Sequence, residues 1–147
     1  MSTIKLEIVT AERLIYSEDV NMVVAPGVMG YLGILPHHAP LMTMLQAGEL
    51  RIKKESGEVA LAVTGGFMEV RPEKILVLAD AAERAEDIDI TRAEAARKRA
   101  EERIKEQGVG GTDRVRAELA LQRSLARLKV AERRRKKPPT GAGGPSL

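Results

Sequence analysis

Four arginines offer the most chemistry in this sequence. Arg92 and Arg99 are seven residues apart and Arg123 and Arg127 four apart, so each pair shares one face if its segment is helical. Between them, Gly108-Val109-Gly110-Gly111 lets the chain fold back, which would bring Arg92 towards the end of the second segment. Guanidinium groups that converge repel one another unless an anion sits among them. A polyphosphate meets that need through charge-assisted, often bidentate hydrogen bonds. The competing account is ordinary pairing with Glu94, Glu101, Glu102 and Glu118, and spacing alone favours it. Arg92 poses a question of its own. It falls in the first turn of its segment, where the helix dipole disfavours a cation, while Asp87 and Asp89 just ahead of it suit that end.

Other candidates are weaker. The chain has no GxxxxGK[ST] loop, no HExxH, no GxSxG and no strand followed by GxGxxG, and a nucleotide hydrolase would also lack a candidate base. His37 and His38 are adjacent, so on a strand they would point opposite ways; no metal site is predicted, and turn or surface roles are the simpler reading. Thr64-Gly65-Gly66 lies between two strand patterns rather than before a helix, which predicts a tight turn rather than a phosphate loop. The run Arg133 to Lys137 reads as a solvated helix end, with nucleic-acid or acidic-lipid binding as the alternative. With Tyr16, Tyr31 and Phe67 the only aromatics, stacking platforms for nucleic acid are scarce.

The elements that must hold these residues come in two blocks. From Ile4 to about Ala79 apolar residues alternate, as Ile4, Leu6 and Ile8, then Val20, Met22 and Val24, then Val59, Leu61 and Val63. Turn signals punctuate them at Ala25-Pro26-Gly27, Leu35-Pro36, Glu55 to Glu58, Thr64-Gly65-Gly66 and Arg71-Pro72-Glu73, which predicts an antiparallel sandwich or barrel. No strand-helix-strand alternation points to a doubly wound fold. Beyond about residue 80, Ala, Glu, Arg and Lys take over. Thr91 with Glu94 can form a capping box for a helix from about 91 to Gln107, and Thr112 or Asp113 can cap a second helix reaching about Lys136, before Pro138 and Pro139. Predicted apolar stripes are Ile90, Ala93, Ala100 and Ile104 on the first, and Ala117, Leu121, Leu125 and Leu128 with a line through Val115 and Leu119 on the second. Such small residues predict an antiparallel αα-hairpin with a weak hold, one that can open.

The fold class expected is therefore α+β, with a β-sandwich at residues 1–85, a two-helix hairpin at 86–137 and a flexible tail at 138–147. Charge divides likewise. Residues 1–90 carry 8 Lys/Arg against 14 Asp/Glu, a balance of −6, and residues 91–147 carry 16 against 7, a balance of +9. The absence of cysteine removes disulfides and thiolate chemistry and suits a reducing cytosol. No signal peptide is recognisable, and no run approaches the roughly 20 apolar residues of a membrane span, so a soluble protein with at most an indirect membrane role is expected.

The succession LGILPHHAPL, TGGFMEVRP, ADAAERAEDID, IDITRAEAARKRAEERI and RAELALQRSLARLKV resembles the epsilon subunits of bacterial F-type ATP synthases, from about residue 3 to residue 132. That resemblance implies a non-catalytic rotor subunit on the cytoplasmic face of the bacterial plasma membrane. Its sandwich would bind the gamma subunit and the c-ring, and its hairpin, when extended, would reach the alpha/beta catalytic head and inhibit ATP hydrolysis. Ile88-Asp89, two residues, then Arg92-Ala93 is similar to the I/L-D-x-x-R-A motif of members whose folded hairpin binds ATP as a regulatory ligand that is not hydrolysed. Carried over, Glu83 and Asp89 would lie near adenine, Arg92 and Ala93 would complete the motif, and Arg99, Arg123 and Arg127 would face the phosphates. An anion there would offset the dipole penalty at Arg92. Tyr31 stands where the family often has an acidic residue, in the loop expected at the c-ring. The glycine-rich hairpin turn and the long end after Glu132 also depart from the pattern. The alternative function is a β-domain protein whose basic helices bind nucleic acid; under the rotor reading no nucleic acid is a partner and the membrane is met only through the complex.

Overall fold

The computed structural model describes residues 2–106, 108 and 110–136, with 134–136 described by backbone alone. Gln107 and Val109 of the predicted helix end and turn, Lys137 of the basic run and the tail at 138–147 lie outside the described residues. Eight strands precede two helices: β1 Ile4–Val9, β2 Leu14–Val20, β3 Met22–Gly27, β4 Gly30–Ile34, β5 Leu41–Lys54, β6 Gly57–Val70, β7 Lys74–Ala79, β8 Ala82–Arg84, then α1 Ile90–Lys105 and α2 Gly111–Lys136.

Strand order is β2-β1-β7-β6-β5-β3-β4, with β8 beside β6. Alternation in β1 buries Ile4, Leu6 and Ile8, as expected for β-branched and aliphatic residues on one face of a pleat. These join Val20, Val23, Leu50, Ile52, Leu61, Met68 and Ile75 in one cluster, so the sheet folds over on itself as a sandwich around a single core. Pairing is antiparallel except between β1 and β7, which run parallel from Lys5 opposite Lys74 to Val9 opposite Leu78. The frame is the β5–β6 hairpin, in constant register from Leu41 opposite Val70 to Lys54 opposite Gly57.

Two predicted turns and one predicted strand are placed differently. Thr64-Gly65-Gly66 is no turn but the middle of β6, where that strand changes partner from β7 to β8. Its glycines are there for approach and conformation: φ is +115° at Gly65 and +133° at Gly66, and a Cβ on Gly66 would lie 2.2 Å from the Leu78 carbonyl oxygen. Ala25-Pro26-Gly27 closes β3, the turn itself being Val28-Met29, and Pro26 is tolerated because the β3–β5 register shifts between Val24 and Gly27. The run from Val20 to Val24 is split at Asn21 between β2 and β3. Strand β8 lies within a stretch whose composition had already turned helical.

The helices form the expected hairpin, with corrected details. Asp89, not Thr91, caps α1: its Oδ1 accepts a hydrogen bond from the Arg92 backbone N–H at 3.0 Å, while Glu94 binds Arg97 instead of closing a capping box. Helix α1 ends at Lys105, and α2 begins at Gly111, one residue before Thr112. On α2 the predicted leucine stripe is not the packing face. Val115, Leu119 and Leu125 are exposed and Leu121 and Leu128 half-buried; Ala117 of the predicted stripe is buried, but so are Ser124, Ala126, Val130 and Ala131, which the stripe left out. Small residues win because Ala93 and Ala100 of α1 leave room for close approach and the sheet offers equally small Ala60 and Ala62. The far end of α2 thus rests on the sandwich through Val130 and Ala131 against Ala60, Ala62, Ala85 and Ile88.

Candidate functional site

Between α1, α2 and the sheet end of the sandwich lies a cleft of about 830 Å³. All seven residues predicted for the ligand, Glu83, Asp89, Arg92, Ala93, Arg99, Arg123 and Arg127, line it. Strand β8 supplies Glu83, the first turn of α1 supplies Arg92 and Ala93, and α2 supplies Arg123 and Arg127. The fold-back predicted from the glycine turn therefore brings both arginine pairs to one place.

Its electrostatics show which of the acids allowed by spacing are already paired. Glu94 and Glu101 are both taken by Arg97, which does not line the cleft, and Glu118 is taken by Arg114 at 3.1 Å. The Arg97 hydrogen bond holds the Glu94 carboxyl below the usual carboxylate range, and Glu94 in turn raises Arg97. Glu102 makes no ion pair among the described residues, and neither do Arg92, Arg99 and Arg123. Only Arg127 is engaged, its Nε donating to Glu83 Oε1 at 2.5 Å. Arg92, Arg99 and Arg123 thus face one cleft without an ion-pair contact among the described residues, although Glu83, Asp87, Asp89 and Asp113 also line it, and guanidinium groups so gathered suit an oxyanion.

Several lining residues were not predicted from the sequence to meet a ligand. Asp87 adds an acid at the Glu83 and Asp89 end, and Arg103, Asp113 and Arg116 stand towards the helix turn, Arg103 lying 3.7 Å from Asp113. Ala96, Ala100, Ala117, Ala120 and Ser124 are small enough to form its floor, and the buried Ser124 donates its hydroxyl to the Ala120 carbonyl at 2.9 Å. Alanine spacing at 93, 96 and 100 was the available signal, but it reads equally as helix packing.

A second surface stands at one end of the sandwich. Met29, Tyr31, Leu35, Met42 and Met44 are exposed, Met29 almost completely, and the Val28 N–H donates to the Met44 carbonyl at 3.0 Å, so turn and strand form one apolar patch. Tyr31 is part of it, its hydroxyl accepting from the Glu49 N–H at 3.3 Å. His37 occupies the neighbouring turn with φ +67°, and His38 Nδ1 lies 2.7 Å from the Ala39 carbonyl. Among the described residues no group of histidine and acid side chains could hold a metal ion, and no helix is long and apolar enough to cross a membrane.

Two family models match the chain: the ATP synthase delta/epsilon chain β-sandwich domain over residues 3–85, and the ATP synthase delta/epsilon chain long α-helix domain over residues 86–132. Among curated relatives, the ATP synthase epsilon chain of Dehalococcoides mccartyi is 57% identical over 138 residues, covering 94% of this chain and 99% of the relative. That of Herpetosiphon aurantiacus is 53% identical over 132 residues, covering 90% and 96%. Among solved structures, a chain of the Euglena gracilis mitochondrial ATP synthase superposes with a TM-score of 0.76 at 23% identity, over 88% of this chain and 81% of that one. A chain of the Tetrahymena thermophila central stalk and c-ring gives 0.53 at 13% identity, over 90% and 96%; both likenesses concern the fold.

Proposed function

The chain belongs to the ATP synthase delta/epsilon family, and from that premise we propose that it is a non-catalytic central-stalk subunit whose hairpin restrains ATP hydrolysis unless ATP holds it folded. The sandwich at residues 1–85 is the rotor attachment, with the Met29, Tyr31 and Met44 patch offered to the c-ring and gamma. The hairpin at 86–137 is the regulatory part: extended, its basic second helix reaches the acidic surface of the alpha/beta head. The subunit works at the cytoplasmic face of the bacterial plasma membrane, peripherally, through the complex.

One observation carries the nucleotide reading: Arg92, Arg99 and Arg123 face the same cleft with no carboxylate partner among the described residues. In this reading triphosphate oxygens satisfy them, Glu83 and Asp89 lie by the adenine as the family resemblance implies, and Ala93 leaves space for the ligand. Glu83 must release Arg127 to do so, which sets part of the binding free energy against a broken ion pair. In this reading the nucleotide is a regulatory ligand that is bound and not hydrolysed. A ligand that binds only the folded hairpin stabilises it by RT ln(1 + [L]/Kd), about 2.7 kcal/mol at a hundredfold excess over Kd. The residues buried between α1 and α2 are small, Ala93, Ala100 and Ala117 among them, so their burial contributes little apolar area and that amount weighs in the hairpin's state.

The test is isothermal titration of the full chain with ATP beside an Arg92→Ala, Arg127→Ala variant. Saturable one-to-one binding that disappears in the variant is expected. No heat at millimolar ATP would return the arginines to a structural role, and failure of the chain to co-purify with gamma would remove the rotor assignment.

A further inference from the structure

Glu49 is, with Ser124, one of two polar or charged residues buried among those described, and unlike Ser124 it carries a full charge away from water. It sits in the middle of β5, its carboxylate 3% exposed, opposite Ala62 in the sheet register. A lone carboxylate there would be costly. Its partner comes from the end of the other module: Arg133 of α2 donates from Nη2 to Oε1 at 2.8 Å and from Nε to Oε2, a bidentate fork. Glu58 lies 3.7 Å from Arg133, and Arg51, 4.0 Å from Glu49, completes the cluster. Hydrogen bonding to Glu49 raises Arg133 further above its ordinary range. Ala62, opposite Glu49, is covered by the same end of α2 through Val130 and Ala131. Lifting α2 away therefore uncovers apolar sheet and separates this pair in one motion.

We propose that Glu49 and Arg133 are positioning residues that latch the C-terminal end of α2 to the sandwich without nucleotide, and so set how much of the hairpin is folded before any ligand arrives. The latch is remote from the cleft: neither residue lines it, and Arg133 lies one position beyond the matched helix domain. That the hairpin can open at all rests on the function proposed above. Arginine is required rather than any cation, because the fork satisfies both carboxylate oxygens at once.

The chain has no cysteine, so Ser56→Cys at the β5–β6 turn and Lys129→Cys on α2 give two unique sites for spin labels in the full chain. Distances are read without nucleotide. The unaltered pair should give one short distance, and Arg133→Met, which keeps the aliphatic stem, should raise the ratio of long to short distances about tenfold. Glu49→Gln should do the same, the double variant should open no further than either single one, and Arg133→Lys should recover part of the short distance. Unchanged distances in Arg133→Met, or effects that add in the double variant, would overturn the latch. Because no ATP is present, a chain that failed to bind ATP would refute the reading of the cleft and leave this result to stand.

Discussion

Replacing Arg123 with methionine should move the hairpin in two opposite directions. Methionine retains most of the half-buried stem, so the change isolates the charge. In the free folded protein Arg92 and Arg99 face Arg123 across the cleft, a like-charge crowding of about 0.2–0.5 kcal/mol on the scale of helix-surface pairs that opening relieves, whereas the Arg123–Arg127 repulsion within α2 is present in both states. Removing one charge should therefore favour the folded free hairpin about twofold, an effect that vanishes in 1 M salt, where screening acts over roughly 3 Å. With ATP the sign reverses. Losing one charge-assisted contact costs about 1.5–3 kcal/mol, which weakens binding roughly ten- to a hundredfold. Titration calorimetry reads the second effect, and native-state hydrogen exchange of the α2 amides at low salt reads the first. Affinity within twofold of the original, or faster exchange in the free variant, would show that Arg123 is satisfied by something other than an anion.

Two further outcomes test the scaffold. Gly66→Ala places a methyl 2.2 Å from the Leu78 oxygen at a φ of +133°; strain and crowding together should cost about 3 kcal/mol and lower the sandwich melting temperature by roughly 10–20 °C, read by thermal unfolding. Glu94 beside Arg97 and Glu7 beside Lys74 both titrate below their ordinary value of 4.5 in the folded chain, through the hydrogen bond each receives, so the stability they add is complete above that value and is lost as pH falls through the lower folded one. Melting temperatures followed from pH 6 to pH 3 should fall less steeply in Glu94→Gln, and an unchanged slope would show that the α1 pair adds nothing.

What could be read in advance was what a local pattern determines. β1 was legible because one face of it meets the core and the other does not, so alternation survives in Ile4, Leu6 and Ile8. Gly65-Gly66 was not, since glycine serves a turn and a close strand crossing alike, and only the neighbouring Leu78 carbonyl says which. The cap of α1 fell to Asp89 over Thr91 because Asp is the stronger capping residue and the helix begins at Ile90, two residues before a Thr91 cap would start it. On α2, Leu121, Leu125 and Leu128 looked like the buried face, but the surfaces it meets are built of alanine, and burial followed the partner rather than the leucines. For the cleft, spacing allowed each arginine several glutamates. That Arg97 alone takes Glu94 and Glu101 is a matter of geometry that no residue count contains.

The parallel pairing of β1 with β7 also bears on how the molecule is made. Lys5 meets Lys74, so the first strand to leave the ribosome has to wait for one of the last strands of the sandwich before Ile4, Leu6 and Ile8 gain their neighbour Ile75. Such a long loop closure makes folding slow and leaves no stable half-domain on the way. A nascent chain stalled before Ala79 would expose an unclosed sheet edge and recruit chaperones. The landing strip of the hairpin, Ala60 and Ala62, lies instead on β6 between β5 and β8, so it can form from the local β5–β6 hairpin before that closure is made.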